Sequence, residues 1–242
     1  MSEPPVLQIE RSTPVERTPL GDGSSWVDLR RSFAHDPEEL LDQTLSTIDW
    51  MQGEVWRFDH YVEERRLGAW LRPDSLAPGK LRDAVRQTGM HLESAYRAAF
   101  TGVSVILYRG GTDFQGLHSD REMKWLDETL IAILVLGEDR PFRLRPRGDW
   151  RDPAHRRDGG DDVDLRPGHG DLLVMGGRCQ RDWLHGIPEY PTDRPRISIT
   201  WRWTSRRGRP DTSPSYFDGA SYSDRPNPVG HRMRRPAGRP VR

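Results

Sequence analysis

The stretch VSVILYRGGTDFQGLHSDRE, Val103–Glu122, decides how this chain is read. It opens on an apolar run, turns through Gly110-Gly111, and ends on His118-Ser119-Asp120. On an extended backbone, residues i and i+2 point to one face, so an imidazole and a carboxylate two apart could converge on a single metal ion. A second imidazole is then required, and His185 in Asp182-Trp183-Leu184-His185-Gly186 is the candidate. Two histidines and one carboxylate leave the far side of a metal open, as in non-haem Fe(II) oxygenases. Alone, the His-x-Asp pair is weak evidence. A chain with 8 histidines and many aspartates yields such pairs by chance, and a lone His118 reads as a surface-turn residue.

Working outward, the signals downstream are β. Strands are expected at Val103–Tyr108, Thr129–Leu136, Pro141–Arg145, Asp162–Leu165, Asp171–Met175, Trp183–Ile187 and Arg196–Trp203, separated by Gly, Pro or Asp turns. Short strands at this spacing predict a sandwich or jelly roll. Leu130 to Leu136 is apolar at every position and should be covered on both faces. In the last strand Arg196, Ser198, Thr200 and Arg202 share one face, and Ile197, Ile199, Trp201 and Trp203 the other. Two inward guanidiniums need an anion to offset their desolvation, and a dicarboxylate would satisfy both through forked hydrogen bonds. Residues 149–161, rich in Arg, Asp and Gly, read as a mobile loop.

Upstream, residues 1–24 read as a flexible leader. Asp36-Pro37-Glu38-Glu39 supplies an N-cap, a first-turn proline and acids, which predicts a helix over 37–48. A second helix is expected over Lys80–Gln87, ending near Gly89. Between them, residues 50–75 interleave Trp56, Arg57, Phe58, His60, Tyr61, Arg65, Arg66 and Trp70. Aromatics beside arginines can stack on a base and hold its phosphate, although an ordinary hairpin with charged faces has the same composition.

The 242 residues suffice for one sizeable domain with tails, and 23 glycines with 20 prolines favour a loop-rich β architecture over a helical bundle. The formal net charge is zero, which removes any overall field for nucleic acid, yet residues 204–242 carry nine arginines against three aspartates. This basic tail is expected to be largely disordered. The single cysteine, Cys179, excludes an intramolecular disulfide. No apolar leader and no membrane-spanning run is present, so a cytoplasmic monomer with no membrane contact is expected.

Together, Tyr108-Arg109-Gly110-Gly111 leading into Gly116-Leu117-His118-Ser119-Asp120, then Gly170 to Met175, Asp182 to Pro188, and Pro195 to Arg202 resemble the AlkB-type Fe(II)- and 2-oxoglutarate-dependent dioxygenases. The ordered set covers residues 100–203, with weaker similarity from about residue 26, so 25–203 is taken as one domain with a lid at 50–75. The resemblance implies a double-stranded β-helix, with His118, Asp120 and His185 as iron ligands. It also implies that Arg196 pairs with the distal carboxylate of 2-oxoglutarate, that Arg202 lies near the carboxylate at the metal, and that Tyr108 hydrogen-bonds the cosubstrate. Glu122 falls where family members contact the target base. Ile106 stands where the family usually has an asparagine, a departure worth ~1 kcal/mol of cosubstrate binding. Arg65 likewise replaces the usual proline ahead of Arg66 in the lid.

The implied reaction consumes O2 and 2-oxoglutarate, releases succinate and CO2, and hydroxylates a nearby C–H bond. On an N-methylated base of DNA or RNA the hydroxymethyl product loses formaldehyde. A base must be single-stranded or flipped to be reached, which directs attention to Trp56, Phe58 and Tyr61 for stacking and to Arg57 or Arg66 for phosphate. Two other readings stand beside this one. The same fold could hydroxylate a small metabolite or a protein side chain, or it could be a noncatalytic binding module.

Overall fold

The computed structural model describes residues 8–57, 59–100, 103–120, 123–124, 126–148, 161–205 and 231–236. The chain runs through β1 (Glu16–Leu20), β2 (Ser25–Arg30), α1 (Pro37–Thr47), β3 (Met51–Arg57), β4 (His60–Leu71) and α2 (Lys80–Tyr96). It continues through β5 (Val103–Tyr108), β6 (Gln115–His118), β7 (Thr129–Gly137), β8 (Phe142–Pro146), β9 (Val163–Leu165) and β10 (Leu172–Gly177). A one-turn helix α3 (Cys179–Asp182) then leads to β11 (Trp183–Ile187), β12 (Arg196–Thr204) and β13 (His231–Arg234). The larger sheet has the order β1-β2-β10-β7-β12-β5-β4-β3-β13, and the smaller β6-β11-β8-β9. Two facing antiparallel sheets make the jelly roll expected from the strand spacing.

Strand β7 sits near the middle of the larger sheet, and its alternation builds two cores at once. Leu130, Ala132, Leu134 and Leu136 point to the layer that carries α1 and α2, alongside Ile197, Ile199 and Trp201 of β12. Ile131, Ile133 and Val135 point between the sheets, toward Phe142, Leu144, Met175, Trp183 and Ile187. A strand buried on both faces needs apolar residues at every position, which this run has. By the same parity β12 turns Arg196, Ser198, Thr200 and Arg202 inward, between the sheets.

Several sequence-based expectations are corrected. Within 1–24, Ile9 is buried and bridges Ala34, and β1 pairs along its length with β2, so the described part of this segment is built into the sheet. Its alternation was too short and too polar to show. Asp36 precedes α1 but does not cap it. Its backbone is left-handed at φ 44°, and its carboxylate reaches Lys80 Nζ at 3.3 Å instead. Helix α2 does not stop at Gly89. The buried stripe Leu81, Ala84, Val85, Thr88 and Leu92 carries it on to Tyr96, because burying Leu92 outweighs the ~1 kcal/mol cost of one helical glycine. The segment expected to be a lid contains a β3–β4 hairpin joined edge-on to β5, and β13 from the basic tail adds a further strand to it. The loop expected over 149–161 lies outside the described residues except for Asp161.

Candidate metal centre

His118 closes β6 and His185 lies in β11, directly opposite it in the antiparallel register. Gly186 makes this approach possible: a Cβ there would sit 2.7 Å from the Gln115 carbonyl oxygen on the neighbouring strand. The two imidazole rings are 4.3 Å apart between centroids. Two residues beyond β6, Asp120 brings a carboxylate oxygen to 3.6 Å from His118 Nε2. One ligand atom from each of His118, Asp120 and His185 lies within 4.8 Å of the others, and no other such group occurs among the described residues.

The electrostatics prepare these groups to bind a cation. Burial, then His118, pushes the His185 pKa down to about 3, so the ring is neutral with a lone pair to offer. Burial would raise the Asp120 carboxyl, but Arg202, with His118 and His185, holds it well below the usual carboxylate range. Arg202 Nε donates to Asp120 Oδ2 at 2.8 Å, and its Nη1 donates to Ser104 Oγ at 2.7 Å. His118 Nδ1 lies 2.9 Å from the Gly116 carbonyl oxygen. Donation to that oxygen leaves Nε2 facing Asp120 with its lone pair. The His118 side chain is one-third exposed while Asp120 and His185 are buried, so the centre opens on the His118 side.

The arginine that the sequence placed deeper in the barrel is there. Arg196 is fully buried, and its Nη1 donates to the Pro167 carbonyl at 3.1 Å. Its Nε and Nη2, like Ser198 Oγ, have no hydrogen-bond partner among the described residues. Burial pushes its pKa down to about 10. Unsatisfied buried donors on a cation are expensive, and a carboxylate arriving along the inward face of β12 would satisfy them. Tyr108 pairs with Arg196 across the β5–β12 register and is buried; burial raises its phenol, opposed by Arg66, Arg196 and Arg140. The donor set therefore fits both a divalent cation and a dicarboxylate.

Sequence reasoning missed two groups. Gln180, buried in α3, accepts from the Asp120 backbone N–H at 2.9 Å, and its Nε2 lies 3.5 Å from His185 Nδ1. One amide thus touches two of the three metal-ligand candidates. Asp182, three residues before His185, pairs with Arg178 at 2.9 Å. Trp183 packs in the inter-sheet core, and its carbonyl accepts from Ser119 Oγ at 3.1 Å. The other missed group is Arg140, fully buried. It donates to the carbonyls of Gly110, Asp113 and Pro188 at 3.2, 2.7 and 2.7 Å, and its guanidinium stands 5.3 Å over the Tyr108 ring. Nothing distinguished it in the sequence from the other arginines. Only the fold shows that it ties the turn after β5 to the end of β11.

The expected substrate contacts are placed less completely. Tyr61 is half-buried on β4 and pairs in register with Trp56 on β3. Arg66 is held by Glu64 at 2.6 Å; its neighbour Leu67 pairs with Leu107 in the helix-side core, so alternation puts Arg66 on the inward face with Ile106 and Tyr108. Arg65 is exposed, reaching Glu189 at 3.1 Å and lying 5.8 Å from the Phe114 ring centroid. Trp70 is exposed on β4. The side chains of Trp56 and Arg57, and all of Phe58 and Glu122, lie outside the described residues.

Comparison with known proteins agrees with this geometry. The family model for the 2OG-Fe(II) oxygenase superfamily matches residues 40–202. Human alpha-ketoglutarate-dependent dioxygenase alkB homolog 3 is 28% identical over 225 residues, covering 86% of this chain and 76% of the human protein. The DNA oxidative demethylase ALKBH2 of Arabidopsis thaliana is 31% identical over 117 residues, covering 43% of this chain and 37% of that protein. Among solved structures, a prolyl hydroxylase from Trichoplax adhaerens in complex with a hypoxia inducible factor peptide fragment matches with a TM-score of 0.52 at 16% identity. That match covers 74% of this chain and 83% of the other, and at this identity it speaks to the fold. The facing imidazoles, the buried aspartate, the unsatisfied arginine below them and the family match together place this chain in the 2OG-Fe(II) oxygenase superfamily, as an AlkB-like dioxygenase.

Proposed function

We propose that this protein oxidatively demethylates N-alkylated bases in nucleic acid, releasing formaldehyde while 2-oxoglutarate is converted to succinate and CO2. The observation that carries this reading is the position of the β3–β4 hairpin. It extends the larger sheet beyond β5, and strand alternation puts Arg66 on the inward face that also carries Ile106 and Tyr108. The names of relatives as DNA oxidative demethylases support it.

His118, Asp120 and His185 would hold Fe(II), which with 2-oxoglutarate and O2 supplies hydroxylation of a C–H bond. The chain's own groups supply position. Arg202 keeps Asp120 ionised, Gln180 holds the Asp120 backbone beside His185, and Arg196 with Tyr108 offers donors to a carboxylate. No side chain needs to act as a nucleophile. Flipping a base out of a duplex costs a few kcal/mol that a single strand avoids, so single-stranded polymers should be the better substrates.

The test measures succinate and formaldehyde with methylated single-stranded DNA, with methylated RNA, and with no primary substrate. Stimulation by either polymer with stoichiometric formaldehyde is expected. Stimulation by neither would transfer the reading to a hydroxylase of a small metabolite or protein side chain.

A further inference from the structure

Strand β13 begins 27 residues after Thr204, the end of β12, yet it pairs with β3 in antiparallel register, His231 with Val55 through Arg234 with Gln52. On one face Arg234 Nε donates to Glu54 Oε1 at 2.9 Å, and its Nη2 contacts the Glu63 carboxylate. Glu54 is almost fully buried, so this pair is tied down on β3. Arg235 adds a contact to Asp49 at 2.9 Å. Without β13, β3 would present an unpaired edge of N–H and C=O groups, and β5 would be the hairpin's one remaining sheet partner among the described residues.

The opposite face carries Met233. A Cβ added at Gly68 would lie 3.7 Å from Met233 Cε and 3.2 Å from Ile106 Cδ1, so both side chains cover this glycine from one side. Gly68 pairs with Ile106, and Ile106 with Ser198. Ile106 packs against the inter-sheet core that includes Tyr108. Met233 therefore stands on the metal-facing side of the sheet, in the row that leads to the inward face of β12.

We propose that β13 is a working part of the substrate-binding wall: Arg234 pins the β3–β4 hairpin in place from behind, and Met233 lines the opening from in front. The proposal rests on the nucleic-acid reading for the identity of the substrate, and on the sheet alone for the pinning. A methionine thioether is soft and adaptable, suited to the flat face of a base.

The test uses the full chain carrying Arg234→Glu, the swap Arg234→Glu with Glu63→Arg, and Met233→Ala. Amide hydrogen exchange over residues 51–57 should rise in Arg234→Glu and return toward the parent rate in the swap, with Met233→Ala unchanged. KM for a methylated single-stranded oligonucleotide should rise about two- to fivefold in Arg234→Glu at unchanged kcat, the scale of one partly exposed ion pair. It should also rise in Met233→Ala. Unchanged exchange in Arg234→Glu, or unchanged KM in both single variants, overturns the proposal. A parent protein that does not turn the oligonucleotide over fails the nucleic-acid reading, and the exchange comparison then decides the pinning role by itself.

Discussion

Replacing Arg196 with methionine should make the cosubstrate-free protein no less stable while nearly abolishing its use of 2-oxoglutarate. The guanidinium is fully buried, and Nε and Nη2 lack hydrogen-bond partners among the described residues. Burial that pushes its pKa down from the usual guanidinium range to about 10 corresponds to a penalty of about 3 kcal/mol on the charged form. Methionine removes that penalty and forfeits the hydrogen bond to the Pro167 carbonyl and the longer one to the Glu138 carbonyl at 3.5 Å, together worth about 1 kcal/mol. The net expectation is a gain of up to ~2 kcal/mol, or a Tm higher by a few degrees, in the absence of cosubstrate. With 2-oxoglutarate bound the sign reverses. Two charge-assisted hydrogen bonds are lost at about 1.5–3 kcal/mol each, which weakens binding by about 10²–10⁴-fold. Thermal unfolding with and without 2-oxoglutarate, in the presence of Mn(II), reads both effects. The parent should show a cosubstrate-dependent rise in Tm that the variant lacks. A variant destabilised by 2 kcal/mol or more that still gains stability from 2-oxoglutarate would refute the reasoning.

Other consequences are open to measurement. Gln180→Leu should weaken Mn(II) binding about 10–100-fold, measured calorimetrically, because one amide supports both Asp120 and His185; unchanged affinity would show that the ligands orient themselves. Gly186→Ala should force β11 away from β6 and cost about 1–3 kcal/mol together with metal affinity, since its Cβ would meet the Gln115 carbonyl at 2.7 Å. His185 is held neutral with its pKa depressed from 6.5 to about 3, so the unfolded chain binds the extra proton. Stability of the metal-free protein should fall as pH drops below about 6.5, by up to about 1.4 kcal/mol per pH unit, and His185→Gln should flatten that slope. Leu134→Ala, emptying a fully buried position in the middle of β7, should cost about 2–5 kcal/mol in denaturant unfolding.

The parts of the fold that the sequence revealed are those where period and burial coincide. Strand β7 is apolar throughout because both its faces are covered, and β12 alternates because one face carries the guanidiniums; both patterns are visible in one dimension. The candidate metal ligands His118 and Asp120 were legible because they lie two apart in the sequence. What escaped depends on distant pairing. β1 and β13 are short and polar, and they become strands only because β2 and β3 offer them an edge. Helix α2 outran Gly89 because burying Leu92 in the helix-side core outweighs a local preference. Arg140 and Gln180 gain meaning from carbonyls and imidazoles that other strands bring to them, so composition could not mark them.

Anaerobic titration with Fe(II) and 2-oxoglutarate, followed in the visible range, tests the central claim most directly. A weak charge-transfer band saturating at one iron per chain is expected, absent in Asp120→Asn and His185→Ala and shifted to much higher 2-oxoglutarate concentration in Arg196→Met. No band in the parent protein, or an undiminished band in the two ligand variants, would contradict the assignment of His118, Asp120 and His185 as an iron centre.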